Sequence, residues 1–159
     1  MVLLVAVCMI LRHRDNRHQA LYPCRGMVIK YNQNQRYATN SVTATLFKQV
    51  AVRRGLPCQA FVVRNDMPCG STIGPILSSG LGVRTIDVGI SQFAMHSIRE
   101  MCGTVDVQLA REHFQAFFEE FGKIDATVDV DACMVEPDGT IDDVSCDCLA
   151  NGDGGQNGA

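Results

Sequence analysis

No stretch of this chain gathers lysine and arginine into a block that could track a phosphate backbone. The one locally basic segment, RHRDNR at 12–17, is interrupted by Asp15, and the whole chain carries a formal charge of -3. A nucleic-acid partner is not expected. Long apolar runs are missing too. MVLLVAVCMIL at 1–11 falls well short of the roughly 20 residues a bilayer-spanning helix needs, so no membrane role is expected. The run resembles the apolar heart of a signal peptide, but no positive residue precedes it and no clean small-residue cleavage pattern follows. The expectation is a buried strand or a mis-started reading frame.

None of the eight cysteines stands in a C-x-x-C pair, which removes the signature of a zinc ribbon or a thioredoxin-type site. Cys146 and Cys148 are too close together for a zinc knuckle, and the chain lacks the dense, loop-rich look of a disulfide-stapled domain. Reduced thiols in a cytosolic compartment are expected. No two of the four histidines make an H-x-x-x-H pair. What is present is ordinary for a globular protein: 47% hydrophobic and 19% charged residues over 159 positions, enough for one domain with a real core. The closing NGDGGQNGA is Gly- and Asn-rich and reads as a disordered tail.

The middle of the chain alternates. GMVIKY (26–31), QAFVV (59–63) and VRTIDVG (83–89) read as strands. TNSVTATLFKQVAVRRG (39–55) reads as a helix, with Thr39 or Asn40 as N-cap and Gly55 as stop. STIGPILSSGLG (71–82) is a short helix restricted by Gly74 and Pro75. VDVQLAREHFQAFFEEF (105–121) is a strongly amphipathic helix that leaves His113 and the Glu119–Glu120 pair on its solvated side. This order predicts an α/β fold with a mostly parallel sheet. Sites in such sheets gather beyond the carboxyl ends of strands, where RNDMPCGST and GISQFAMH fall.

His96, in the second of these segments, admits three readings: metal ligand, general base, or buried imidazole. A zinc site needs three or four donors, so any metal at His96 takes its other ligands from distant residues. Cys69 in DMPCGST reads either as a thiolate nucleophile beside small residues that present N–H groups, or as a buried thiol. The Gly70-Ser71-Thr72 run can bind a carboxylate or carbonyl oxygen through those N–H groups. Lys30 at a strand end reads as solvated surface, unless the substrate is anionic and its charge selects an acidic group.

VIKYNQNQRYATNSV, VVRNDMPCGSTIGPILSSGLGVRTIDVG and QFAMHSIREM, taken in order, resemble the C-terminal part of the aspartyl aminopeptidases, metallo-aminopeptidases of the M18 family. The resemblance runs from about His13 to Phe121. It implies the C-terminal part of a zinc-peptidase-like α/β/α sandwich over residues 13–125. Residues 1–12 form an apolar segment unlike the family, and 126–159 a divergent tail. It further implies a peptidase that removes N-terminal Asp or Glu from peptides using a two-zinc site. The family's metal-binding histidine falls on His96, and its substrate-contacting lysine and tyrosine fall on Lys30 and Tyr37. Its catalytic glutamate and other metal ligands lie upstream of the matched segment, so no catalytic residue is assigned here. The chain reads as a truncated or alternatively started piece with negligible hydrolysis of its own. Assembly into homo-oligomers and a cytoplasmic or, alternatively, vacuolar location follow from the same resemblance.

Overall fold

In a computed structural model of the chain, residues 2–5, 8–9 and 21–128 are described. They belong to one compact unit, Met1–Thr127, apart from Val128. The expected family boundary near His13 and nearly all of the tail expected over 126–159 lie outside the described residues.

The first elements are short strands, β1 (Val2–Val5) and β2 (Cys8–Met9), followed by β3 (Met27–Tyr31). Helix α1 (Ser41–Arg54) starts where Asn40 and Thr43 close a reciprocal capping box, the Asn40 side chain accepting the Thr43 N–H at 2.9 Å. It ends at Gly55, whose φ of 63° lets the chain turn left-handed while Leu56 N–H donates to the Ala51 carbonyl. Then come β4 (Cys58–Val62), α2 (Gly74–Leu81), β5 (Thr85–Phe93), β6 (Met101–Cys102) and α3 (Thr104–Asp125).

β3 and β4 run parallel with α1 between them, a βαβ unit, and β1 and β2 both lie parallel to β5. β5, however, runs antiparallel to β3 and to β6. The sheet is therefore mixed, in the order β1-β5-β3-β4. The α/β class stands, with three of the five strand pairings parallel; the antiparallel β3–β5 pairing arises in the β4–α2–β5 connection, which returns the chain in the opposite sense.

Alternation along the strands sorts the two faces. Met27 and Ile29 of β3 and Ile86 and Val88 of β5 join Leu46, Phe47 and Val50 of α1 and Phe117 of α3 in the main core. Asp87, between Ile86 and Val88, points to the other face, where Gly74 of α2 packs against it. Helices thus cover both faces, which is why four successive residues of β3, Met27 to Lys30, are buried.

One sequence expectation fails on α3. His113 is fully buried, its ring stacked on Phe47 with centroids 4.0 Å apart and its Nε2 3.2 Å from the Phe47 carbonyl. It is an aromatic core residue, because α1 crosses the stripe of α3 that the sequence pattern assigns to water. Glu119 is exposed, as expected, and Glu120 half-buried; both bind the Arg54 guanidinium and tie α3 to the end of α1.

Candidate functional site

Lys30 follows three apolar residues of β3 and is only 4% exposed. Its expected alternative as solvated surface is excluded, because the strand carries it into the interior. A buried ammonium needs compensation, and part of it is the ring of Tyr37, whose centroid lies 5.0 Å from Lys30 Nζ. Tyr37 reaches this position through a tight turn in which Gln35, at φ 57°, donates its N–H to the Asn32 carbonyl.

Asp87 fixes the segment that follows. Its Oδ2 accepts the Ala38 N–H at 2.7 Å, its own N–H donates to Thr39 Oγ1 at 2.9 Å, and its carbonyl accepts the Thr39 hydroxyl at 3.3 Å. The antiparallel register, Ile29 opposite Val88, continued by one residue sets Lys30 opposite Asp87 on the same sheet face. The structure therefore brings Lys30, Tyr37 and Asp87 together. Sequence reasoning missed Asp87, and its signal was a lone carboxylate inside the apolar alternation TIDVGI.

The two loops at this end of the sheet dock on each other: Thr72 N–H and the Ser71 hydroxyl both donate to the Arg36 carbonyl. Cys69 sits in the second loop, half-buried, with its Sγ donating to the Gly70 carbonyl at 3.2 Å. No histidine or carboxylate is hydrogen-bonded to it among the described residues, so the thiolate-nucleophile reading lacks its base.

His96 lies at the opposite end of β5. From Asp87 to Phe93 the strand spans roughly 20 Å at about 3.4 Å per residue, so His96 is not brought together with Lys30 and Tyr37 in one copy. It is exposed and held on a turn in which Ser97 N–H donates to the Ala94 carbonyl and His96 N–H donates to the Glu100 carboxylate. Ala94 and His96 adopt φ of 53° and 65°, left-handed values that cost a non-glycine residue about 1–2 kcal/mol each. Such strain is characteristic of functional turns. The base of this end is locked by Asp106, buried in the first turn of α3, which accepts the N–H groups of Cys24 and Gly26 at 2.6 and 2.9 Å.

The profile of the family described as aminopeptidase I zinc metalloprotease (M18) matches residues 12–118. The chain belongs to the M18 aminopeptidase family. A Ricinus communis relative named "Probable aspartyl aminopeptidase" is 59% identical over 120 residues, covering 76% of this chain and 24% of its own length. Among solved structures, an Ape4–Nbr1 complex aligns with a TM-score of 0.71 at 41% identity, over 84% of this chain and 27% of that one. A dodecamer of mApe1 from S. cerevisiae aligns with a TM-score of 0.63 at 31% identity, over 77% and 28%. This M18 chain thus spans about a quarter of the length of the relatives it matches.

The family is one of zinc enzymes, which sets a test for the residues present. A zinc ion takes three or four protein donors. Among the described residues of this M18 chain no group of three or more His, Cys, Asp or Glu side chains could hold a metal ion. His96 offers one exposed imidazole, and its nearest bonded carboxylate, Glu100, is engaged by a backbone N–H. The described residues alone do not fit a complete zinc site. No helix among them is long and apolar enough to cross a membrane.

Proposed function

We propose that this chain is part of an M18 zinc aminopeptidase that releases Asp or Glu from the amino terminus of peptides. The observation that carries this reading is the family match over residues 12–118, which includes Lys30, Tyr37 and His96. In this reading His96 gives one imidazole to a zinc site completed by donors outside the described residues. Lys30, steadied by Tyr37, receives the acidic group of the substrate: a buried ammonium is a strong point charge for a carboxylate. One acidic residue cannot bridge the strand length between these two ends. They therefore meet the same substrate residue only across two copies, which fits a homo-oligomer such as the dodecamer of the mApe1 relative. A cytoplasmic site of action, with the vacuole as alternative, accompanies this reading.

A second reading is favoured by the incomplete donor set among the described residues: a non-catalytic piece that assembles with full-length subunits. Release of aspartate from an Asp-initiated peptide, followed with and without zinc, separates the two. Negligible hydrolysis is expected from the chain alone, and zinc affinity measured by calorimetry is expected to fall in His96→Ala. Unchanged zinc binding in that variant removes His96 from the ligand set. A metal-independent hydrolysis abolished by thiol alkylation would instead assign the activity to Cys69.

A further inference from the structure

Both peptide planes that flank Tyr37 are held by groups from distant parts of the chain. On the amino side, the Arg36 carbonyl accepts the Thr72 N–H at 3.3 Å and the Ser71 hydroxyl at 3.4 Å. On the carboxyl side, the Ala38 N–H donates to Asp87 Oδ2 at 2.7 Å. A residue has only two soft backbone dihedrals, one beside each plane. Holding both planes therefore fixes where the half-buried Tyr37 side chain emerges. Its ring centroid lies 5.0 Å from Lys30 Nζ, inside the roughly 6 Å over which a ring attracts a cation, so a modest swing of the backbone would break the contact.

Asp87 is itself pinned. It is fully buried, and its main chain exchanges hydrogen bonds with the Thr39 hydroxyl at 2.9 and 3.3 Å, which sets its position against residues 38 and 39. Behind the carboxylate stands Gly74, the first residue of α2, where a Cβ would collide with Oδ2. Ser71, Thr72 and Gly74 all belong to RNDMPCGSTIGP. That segment therefore acts on one tyrosine by two routes, through the Arg36 carbonyl and through the seat of Asp87.

We infer that Asp87, seated by Gly74, and the Ser71-Thr72 pair form a clamp that holds Tyr37 against Lys30, and that these are positioning residues for the acidic group of the substrate. The second half of this inference rests on the reading of Lys30 given above; the clamp itself does not. Asp87 and Gly74 then influence recognition of an acidic group through Tyr37 and Lys30, by preorganising the ammonium that receives it.

Side-chain NMR of the full chain tests it through the ring current of Tyr37, which moves the ε-methylene protons of Lys30 upfield while the ring lies beneath the ammonium. Asp87→Leu, similar in size but without an acceptor, erases that upfield shift, and Asp87→Asn, which keeps an acceptor oxygen, retains it. Gly74→Ala reduces it by displacing the carboxylate. Val50→Ala, a core change near the end of α1, lowers stability yet leaves the shift in place, which separates positioning from general loosening. Succinate, a probe for the acidic-group site, binds about tenfold more weakly to Asp87→Leu than to the unaltered chain, and Asp87→Asn restores the affinity. An upfield shift that survives in both Asp87→Leu and Gly74→Ala overturns the proposal, as does its loss in Asp87→Asn or Val50→Ala to the extent seen in Asp87→Leu. If Asp87→Leu fails to fold, Gly74→Ala decides: an unchanged shift there overturns the clamp. Succinate binding that Lys30→Met leaves unchanged, with the ring-current results as stated, overturns the acidic-group reading and leaves the clamp standing.

Discussion

The imidazole of His113 has one nitrogen against the Phe47 carbonyl and the other, Nδ1, buried without a partner. Burial pushes its pKa below the ordinary value of 6.5, with the bond to Phe47 opposing. The unfolded chain then takes up a proton near 6.5 while the folded chain resists it, so stability is full above that value and falls as pH drops below it. Thermal unfolding followed from about pH 7 to pH 5.5 is expected to show a falling midpoint, and His113→Phe to flatten that slope. A slope unchanged in the variant would place the acid sensitivity elsewhere. The contact of Gly74 with Asp87 makes a second residue-scale case. A Cβ at position 74 would run into the Asp87 carboxylate, so Gly74→Ala is expected to cost about 1–3 kcal/mol in denaturant unfolding. The cost should shrink in an Asp87→Ala background, because the two positions share one contact.

At the scale of elements, α1 was readable because its signals are local. The cap at Asn40, the apolar spacing and the stop at Gly55 all act within a turn of their own position. Removing half of that cap, Asn40→Ala, is expected to lower stability by about 1 kcal/mol, seen as a lower urea midpoint with unchanged slope. β5 was only half readable. Its direction relative to β3 depends on which strand it meets, and its extension to Phe93 carries Ser91 and Gln92, polar yet buried. Ser91 is reached by the Gln59 amide of β4 at 3.3 Å, a contact no local pattern announces. The same limit applies to the candidate site. Lys30, Tyr37 and His96 stood out through motif resemblance, but the burial of Lys30 and its separation from His96 follow from strand pairing. Asp87 and Gly74 owe their interest to neighbours far away in sequence.

At the scale of the whole molecule, apolar surface decides behaviour in solution. The outward side of α2 presents Ile73 and Ile76 at 59% and 68% exposure, with Leu81 at 66% near the helix end. Phe118 on α3 and Ile98 and Met101 near the His96 turn are exposed as well. Scattered apolar residues on a surface are ordinary, but Ile73 at the N-cap of α2 and Ile76 three residues on, both largely exposed, give an apolar patch of the kind that drives association. The M18 relatives this chain matches are about three times its length, so the surrounding surface in those proteins has far more chain available to cover it. The isolated chain is therefore expected to self-associate with rising concentration, in a manner insensitive to salt because the patch carries no charge. Sedimentation velocity at several concentrations, repeated for an Ile73→Gln/Ile76→Glu double variant, measures this directly. The variant should shift the distribution toward monomer while keeping its circular dichroism, since both side chains face away from the sheet. Association that persists undiminished in the double variant would move the sticky surface to the His96 end, where Ile98 and Met101 become the next positions to change.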